Sequence, residues 1–295
     1  MEPMSASSWF VKCGAAIALP LLVYAAIAAA GPKAPPLPTG RDGALEVLDR
    51  YSQGPVPDIV LVGSSITTRL KEEYFDAPNL KTLGLAGGSS ITGLKVLIGR
   101  ERLPKIVLIE MNMLERGEDP ALVQRFTANT STLPYPIRAA VAFYERWLHA
   151  PPDRHQADSM VAALLQARPS DFDNRVYLDR AMREWSVPAS TADMTRNAAT
   201  LVRLVKQIEA RGSLVYFYSL PYAEALQGSD YARATANIAH ATFTNELQWL
   251  RLELPIHELR WADGVHLDER SAIVVAKELQ KQLLLRNRPL PTQDN

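Results

Sequence analysis

Cysteine is nearly missing from this chain: among 295 residues there is one, Cys13. A single thiol excludes an intramolecular disulfide and a cysteine-built metal centre, and it leaves the redox compartment unreadable from cysteine usage. Net charge is missing too. Lys plus Arg and Asp plus Glu each total 32, so the clustered positive excess that nucleic-acid binding requires is not there. Charged runs such as "KEEYF" and "DRAMRE" read as solvated helix faces. No Gly-x-x-x-x-Gly-Lys or Gly-x-Gly-x-x-Gly phosphate loop occurs, and no His/Asp/Glu group has metal-ligand spacing. The pattern therefore calls for no cofactor and no metal. The Gly-x-Ser-x-Gly elbow, internal repeats and low-complexity tracts are absent as well.

Long apolar runs are scarce, with one exception. Between Lys12 and Lys33 lie twenty uncharged residues, "CGAAIALPLLVYAAIAAAGP", enough to cross ~30 Å of hydrocarbon as a helix. Residues 1–30 read as a membrane anchor. The alternative is a cleaved signal peptide, with Lys12 as a thin basic region and Ala28-Ala29-Ala30 as the cleavage site. Either reading places the remainder outside the cytoplasm. Residues 31–42, rich in proline, form an extended linker. A globular pattern runs from about Gly43 to 290.

Within it, short apolar runs at 59–62, 82–85, 106–109 and 214–218, and more weakly at 254–257, read as buried strands. "AATLVRLVKQIEARG" puts Leu201, Leu204, Val205 and Ile208 on one helical face, with Gly212 as the stop. "DERSAIVVAKELQKQLLL" reads as an amphipathic closing helix. Strand–helix alternation with short connections predicts a doubly wound parallel α/β sheet covered on both faces. Residues 113–197 depart from it. They hold helix-like pieces and aromatics (Phe143, Tyr144, Trp147, Tyr177, Trp185) without a convincing strand, and read as a helical insertion.

In such a sheet, ligands bind beyond the carboxyl ends of the strands. There the sequence places Gly63-Ser64-Ser65, then Gly84, Ala86, Gly87 and Gly88. Further on come Glu110, Met111 and Asn112, and in "WADGVHLDE" Asp263 and His266. A serine hydroxyl becomes a nucleophile when a base takes its proton as it attacks. His266 can be that base, and Asp263, three residues earlier, can fix the imidazole tautomer. The Gly87 N–H, the Asn112 amide and the Ser65 N–H can supply oxyanion donors, each typically worth ~3 kcal/mol of barrier. Each motif alone is commonplace as turn or cap; their order, each at a strand end, points to chemistry. His257 is the competitor as base, whereas His149, His155 and His240 have no carboxylate in frame. Asn129-Thr130-Ser131 matches a glycosylation pattern by chance. Trp261, Met111 and the insertion aromatics read as core.

These blocks resemble the SGNH hydrolase superfamily, the GDSL-like esterases, across residues 58–285 apart from the insertion. Gly63-Ser64-Ser65 is similar to the family's Gly-Asp-Ser, Gly87 to its second-block glycine, Asn112 to its third-block asparagine, and Asp263-x-x-His266 to its Asp-x-x-His. The resemblance implies a three-layer α/β/α, flavodoxin-like fold. It implies Ser65 as nucleophile, Gly87 and Asn112 as oxyanion donors, and Asp263 with His266 as orienter and base. Two departures stand out: Ser64 replaces the usual aspartate, and "EMN" replaces Gly-x-Asn-Asp. Gly-Ser-Ser resembles the version in membrane-anchored bacterial relatives that move acyl groups on envelope polymers. The expectation is an exported serine esterase or O-acyltransferase acting on acyl esters of a cell-envelope or extracellular polysaccharide. It would sit at the bacterial inner membrane beside a multi-span membrane acyltransferase. Hydrolysis of small esters or lipids, and a catalytically silent domain that binds glycan or a partner, are the alternatives.

Overall fold

The computed structural model describes residues 6–30, 43–127, 153–169, 171, 173–186 and 190–286. The chain divides into two compact units, residues 1–38 with 129–151 and residues 39–128 with 152–295. In the first unit the described element is helix α1, Ala6–Ala30. Its Ile17, Leu19, Leu21, Leu22 and Val23 side chains are all exposed. At 3.6 residues per turn these positions ring the helix rather than line one face. Among the described residues no helix is long and apolar enough to cross a membrane. The proline-rich stretch 31–42 lies outside the described residues.

The second unit is built on four strands, β1 (Ile59–Gly63), β2 (Leu80–Gly84), β3 (Ile106–Glu110) and β4 (Leu214–Tyr218). All pairs are parallel, in the order β2-β1-β3-β4. "IVLVG" and "IVLIE" are apolar without alternation, as strands covered on both faces must be. Helix α2 (Ala44–Gln53) packs beside β2, and α3 (Ser90–Ile98) lies against β1 and β2. Between β3 and β4 come α4 (Pro120–Thr127), α5 (Arg154–Leu165), α6 (Arg175–Trp185) and α7 (Thr191–Ala210). Leu201, Leu204, Val205 and Ile208 of α7 are buried, and Gly212, at φ +88°, reverses the chain after it. After β4 follow α8 (Glu224–Gln227), α9 (Asp230–Thr242) and α10 (Glu269–Arg286). Helix α10 buries Ile273, Val275, Leu279 and Leu283. Each such side chain contributes ~1.5–3 kcal/mol of burial.

Two expectations need correction. No strand forms at 254–257; Ile256–Glu258 is a single 3-10 turn. Pro255 has no N–H to give a ladder, which accounts for the failure. The flank of β4 is taken instead by Trp249 and Leu250, through a bridge to Phe217 and the Leu250 N–H on Phe217 O at 2.8 Å. Among the described residues of 113–197 there is no strand, as expected. Trp185 is core, packed edge-on to Tyr222 with ring centres 4.6 Å apart. Tyr177, however, is exposed. Phe143, Tyr144, Trp147, His149 and Asn129-Thr130-Ser131 fall outside the described residues.

Candidate active site

From β1 the chain goes to β2 on one side, and then to β3 on the other side of β1. The strand order therefore switches at β1 and β3, which opens a crevice beyond their carboxyl ends. Ser65 lies two residues past β1 and Asn112 two past β3, so both stand at that crevice.

The structure brings three expected residues into one chain of hydrogen bonds. Ser65 Oγ is 2.9 Å from His266 Nε2, and His266 Nδ1 is 2.7 Å from Asp263 Oδ2. Ser65, Asp263 and His266 are all half-buried, dry enough to strengthen the pairing and open enough for a ligand. The His266 turn is made locally. Asp263 Oδ1 accepts the Val265 N–H at 3.0 Å and the His266 N–H at 2.7 Å, while Gly264 sits at φ +85°. The backbone closes around it through Ala262 N–H on His266 O at 2.8 Å and a bridge between Trp261 and Leu267. One carboxylate thus fixes both the turn and the imidazole. Burial pushes the Asp263 carboxyl up, but the bonds from His266 and Val265 outweigh it and hold it at about 2. Ionised Asp263 then keeps the proton on Nδ1 and leaves Nε2 free to accept from Ser65.

Sequence reasoning placed Glu110 at the strand end without a role. It is 2 % exposed and lies directly beneath the Ser65 turn. Its Oε2 accepts from Ser64 N–H at 2.7 Å, Ser64 Oγ at 2.8 Å and Thr67 Oγ1 at 2.7 Å. Thr67 Oγ1 is also 2.9 Å from Tyr218 OH on β4. A Cβ on Gly63 would run into Thr67 Oγ1 and the Glu110 carboxyl, so only glycine fits there. Burial raises the Glu110 carboxyl above its usual range, and the Thr67 and Ser64 hydrogen bonds draw it part of the way back. Tyr218 is raised by burial and by the nearby Glu110 charge. The signal that could have flagged Glu110 is an acid ending a wholly apolar, doubly covered strand, where a charge needs partners.

Gly87 is exposed with φ +72°, three residues past β2. Neither its N–H nor that of Ser65 finds an acceptor among the described residues. Asn112 is buried, and its carboxamide clasps the Leu220 backbone: Oδ1 accepts the Leu220 N–H at 2.7 Å, and Nδ2 donates to Leu220 O at 2.8 Å. Because the Leu220 N–H can only donate, the amide orientation is fixed. Burial raises the Tyr222 phenol, and the Asn112 side chain, which also hydrogen-bonds it, draws it part of the way back.

The other described histidines stay apart from this chain of bonds. His257 is exposed on its 3-10 turn, His155 is exposed on α5, and His240 stacks on Trp249 with ring centres 4.0 Å apart. The described part of the insertion braces the Asp263 and His266 turn. Asn174 Nδ2 donates to Trp261 O at 2.8 Å, and Leu178 packs against Gly264. No family model and no curated protein matches this chain.

Proposed function

We propose that the protein is a serine esterase or O-acyltransferase of the SGNH type, acting on acyl esters of a cell-envelope or extracellular polysaccharide. The observation that carries this reading is the unbroken chain from Ser65 Oγ through His266 to Asp263, at 2.9 and 2.7 Å. Ser65 Oγ attacks the ester carbonyl carbon while His266 Nε2 takes its proton. The free N–H groups of Ser65 and Gly87 are the donors assigned to the oxyanion, with the Asn112 amide as the third that the resemblance implies. His266 then returns the proton to the departing alcohol, leaving the acyl group on Ser65 as an ester. Water releases it in an esterase and a sugar hydroxyl takes it in a transferase, with His266 again as base. No non-glycine residue among the described ones has positive φ, so Ser65 is presented without the strained elbow of α/β-hydrolases.

The envelope setting rests on the N-terminal stretch and on the Gly-Ser-Ser resemblance. The apolar side chains exposed around α1 from Ile17 to Val23 support it as a tether at the bacterial inner membrane, with the α/β unit outside the cytoplasm. A multi-span membrane acyltransferase as acyl donor belongs to the same reading. The test is a fluorophosphonate probe on the full chain, followed by an acetylated donor and an oligosaccharide acceptor read by mass spectrometry. Labelling of wild type and not of Ser65→Ala is expected, with acyl transfer onto the oligosaccharide. An unlabelled wild type would favour a silent binding domain, and release of free acid alone would favour the hydrolase.

A further inference from the structure

We infer that Glu110 is a positioning residue for Ser65, a buried carboxyl that ties the turn 64–67 to the end of β3 so that the Ser65 hydroxyl and N–H are both left free to act. The inference rests on the reading of Ser65 as nucleophile. Three facts carry it. First, the peptide N–H groups on either side of Ser65 are both committed through this carboxyl. Ser64 N–H donates to Glu110 Oε2 at 2.7 Å, and Ile66 N–H donates at 3.2 Å to Ser64 Oγ, which itself donates to Glu110. The Ser65 N–H between them has no acceptor among the described residues. Second, the same carboxyl takes Thr67 Oγ1, which in turn meets Tyr218 OH, so the turn is fastened to β3 and β4 at once. Third, Gly63 is glycine because the carboxyl and Thr67 fill the space a side chain would need.

A buried carboxyl is a poor choice for stability alone. Replacing buried polar groups by apolar ones of similar shape is commonly neutral or stabilising. Its retention beneath the turn makes sense if what it secures is aim. Misplacing a reacting group by ~1 Å can cost about 10²-fold in rate.

The test uses the full chain, with fluorophosphonate labelling measured against probe concentration to separate maximal rate from half-saturation, and a melting curve for each variant. Glu110→Gln is expected to lower the maximal labelling rate by about 10²-fold, with half-saturation and melting temperature close to wild type. Adding Ser64→Asp to Glu110→Gln restores a carboxylate to the turn itself, within reach of the Ile66 N–H and Thr67, and is expected to recover most of the loss. If Glu110→Gln folds poorly, Thr67→Val and Thr67→Ser replace it, the first slowing labelling and the second sparing it. Wild-type labelling by Glu110→Gln, or equal rates in the two Thr67 variants, would overturn the inference while leaving Ser65 as nucleophile. An unlabelled wild type overturns both.

Discussion

The turn carrying Ser65 and the turn carrying His266 meet at 2.9 Å across 201 residues of sequence, and they are held in place by different means. The His266 turn is shaped locally and braced from outside: Asp263 binds two backbone N–H groups and the imidazole within three residues of itself, while Asn174 and Ala223 bond the Trp261 and Gly264 carbonyls. The Ser65 turn makes its own bonds only in part. Its anchor, Glu110, lies 46 residues from Ser64, on a neighbouring strand. His266, half-buried, thus takes its orientation mainly from local geometry, whereas Ser65 takes its position from the sheet. Damage to the sheet core should reach Ser65 before it reaches His266.

The largest expected break in this pairing is chemical. Ser65→Ala or His266→Ala should each lower turnover by about 10⁶-fold, and the double variant by no more than either alone, because the two act as a unit. Initial rates on an activated ester would check this. Asp263→Asn comes next, at about 10⁴-fold in kcat. An asparagine keeps Oδ1 for the Val265 and His266 N–H groups but turns a donor toward Nδ1, forcing the proton onto Nε2. Backbone circular dichroism should be unchanged in that variant.

Smaller effects sharpen the comparison through stability. Gly264→Ala should cost about 1–3 kcal/mol, because φ is +85° and the new methyl would lie 2.5 Å from Leu178 Cδ1. Gly87→Ala, at φ +72° with open space around it, should cost only about 1 kcal/mol. Chemical denaturation of the two variants side by side would show the difference. Acid gives an effect of similar size. The Asp263 carboxyl is held at about 2, below its usual 3.8, so its contribution to stability is present in full above about pH 4 and lost as pH falls through about 2. With the side chain partly exposed, the loss should be on the order of 1–2 kcal/mol. Asp263→Asn should flatten that part of the stability profile.

The same contrast decides what could be read from the sequence. β1, β3 and β4 were legible because apolar runs without alternation mean a covered parallel sheet, whereas β2 was legible only from Thr82, since Lys81 interrupts its apolar run. Ser65, Asp263 and His266 were legible because strand ends and a three-residue spacing are local features. The roles of Glu110 and Thr67 were not, since their partners become neighbours only after β1, β3 and β4 assemble. Nor was the Asn112 clasp on Leu220, 108 residues away. The strand expected at 254–257 failed on a signal that was present, Pro255, outweighed in the reading by the flanking Leu254 and Ile256.

The outer strands have a consequence for colloidal behaviour. On β2, the Thr82 N–H is taken at 3.3 Å by Glu72 Oε1 and the Thr82 hydroxyl by Leu70 O at 2.8 Å. On β4, Leu250 N–H caps Phe217 O, and Gln248 Nε2 reaches Val215 O at 3.4 Å. Each rim of the sheet is stoppered by groups from its own chain. A neighbouring molecule looking for a strand to extend meets side chains where a ladder would have to start, which should keep concentrated solutions from seeding fibrils.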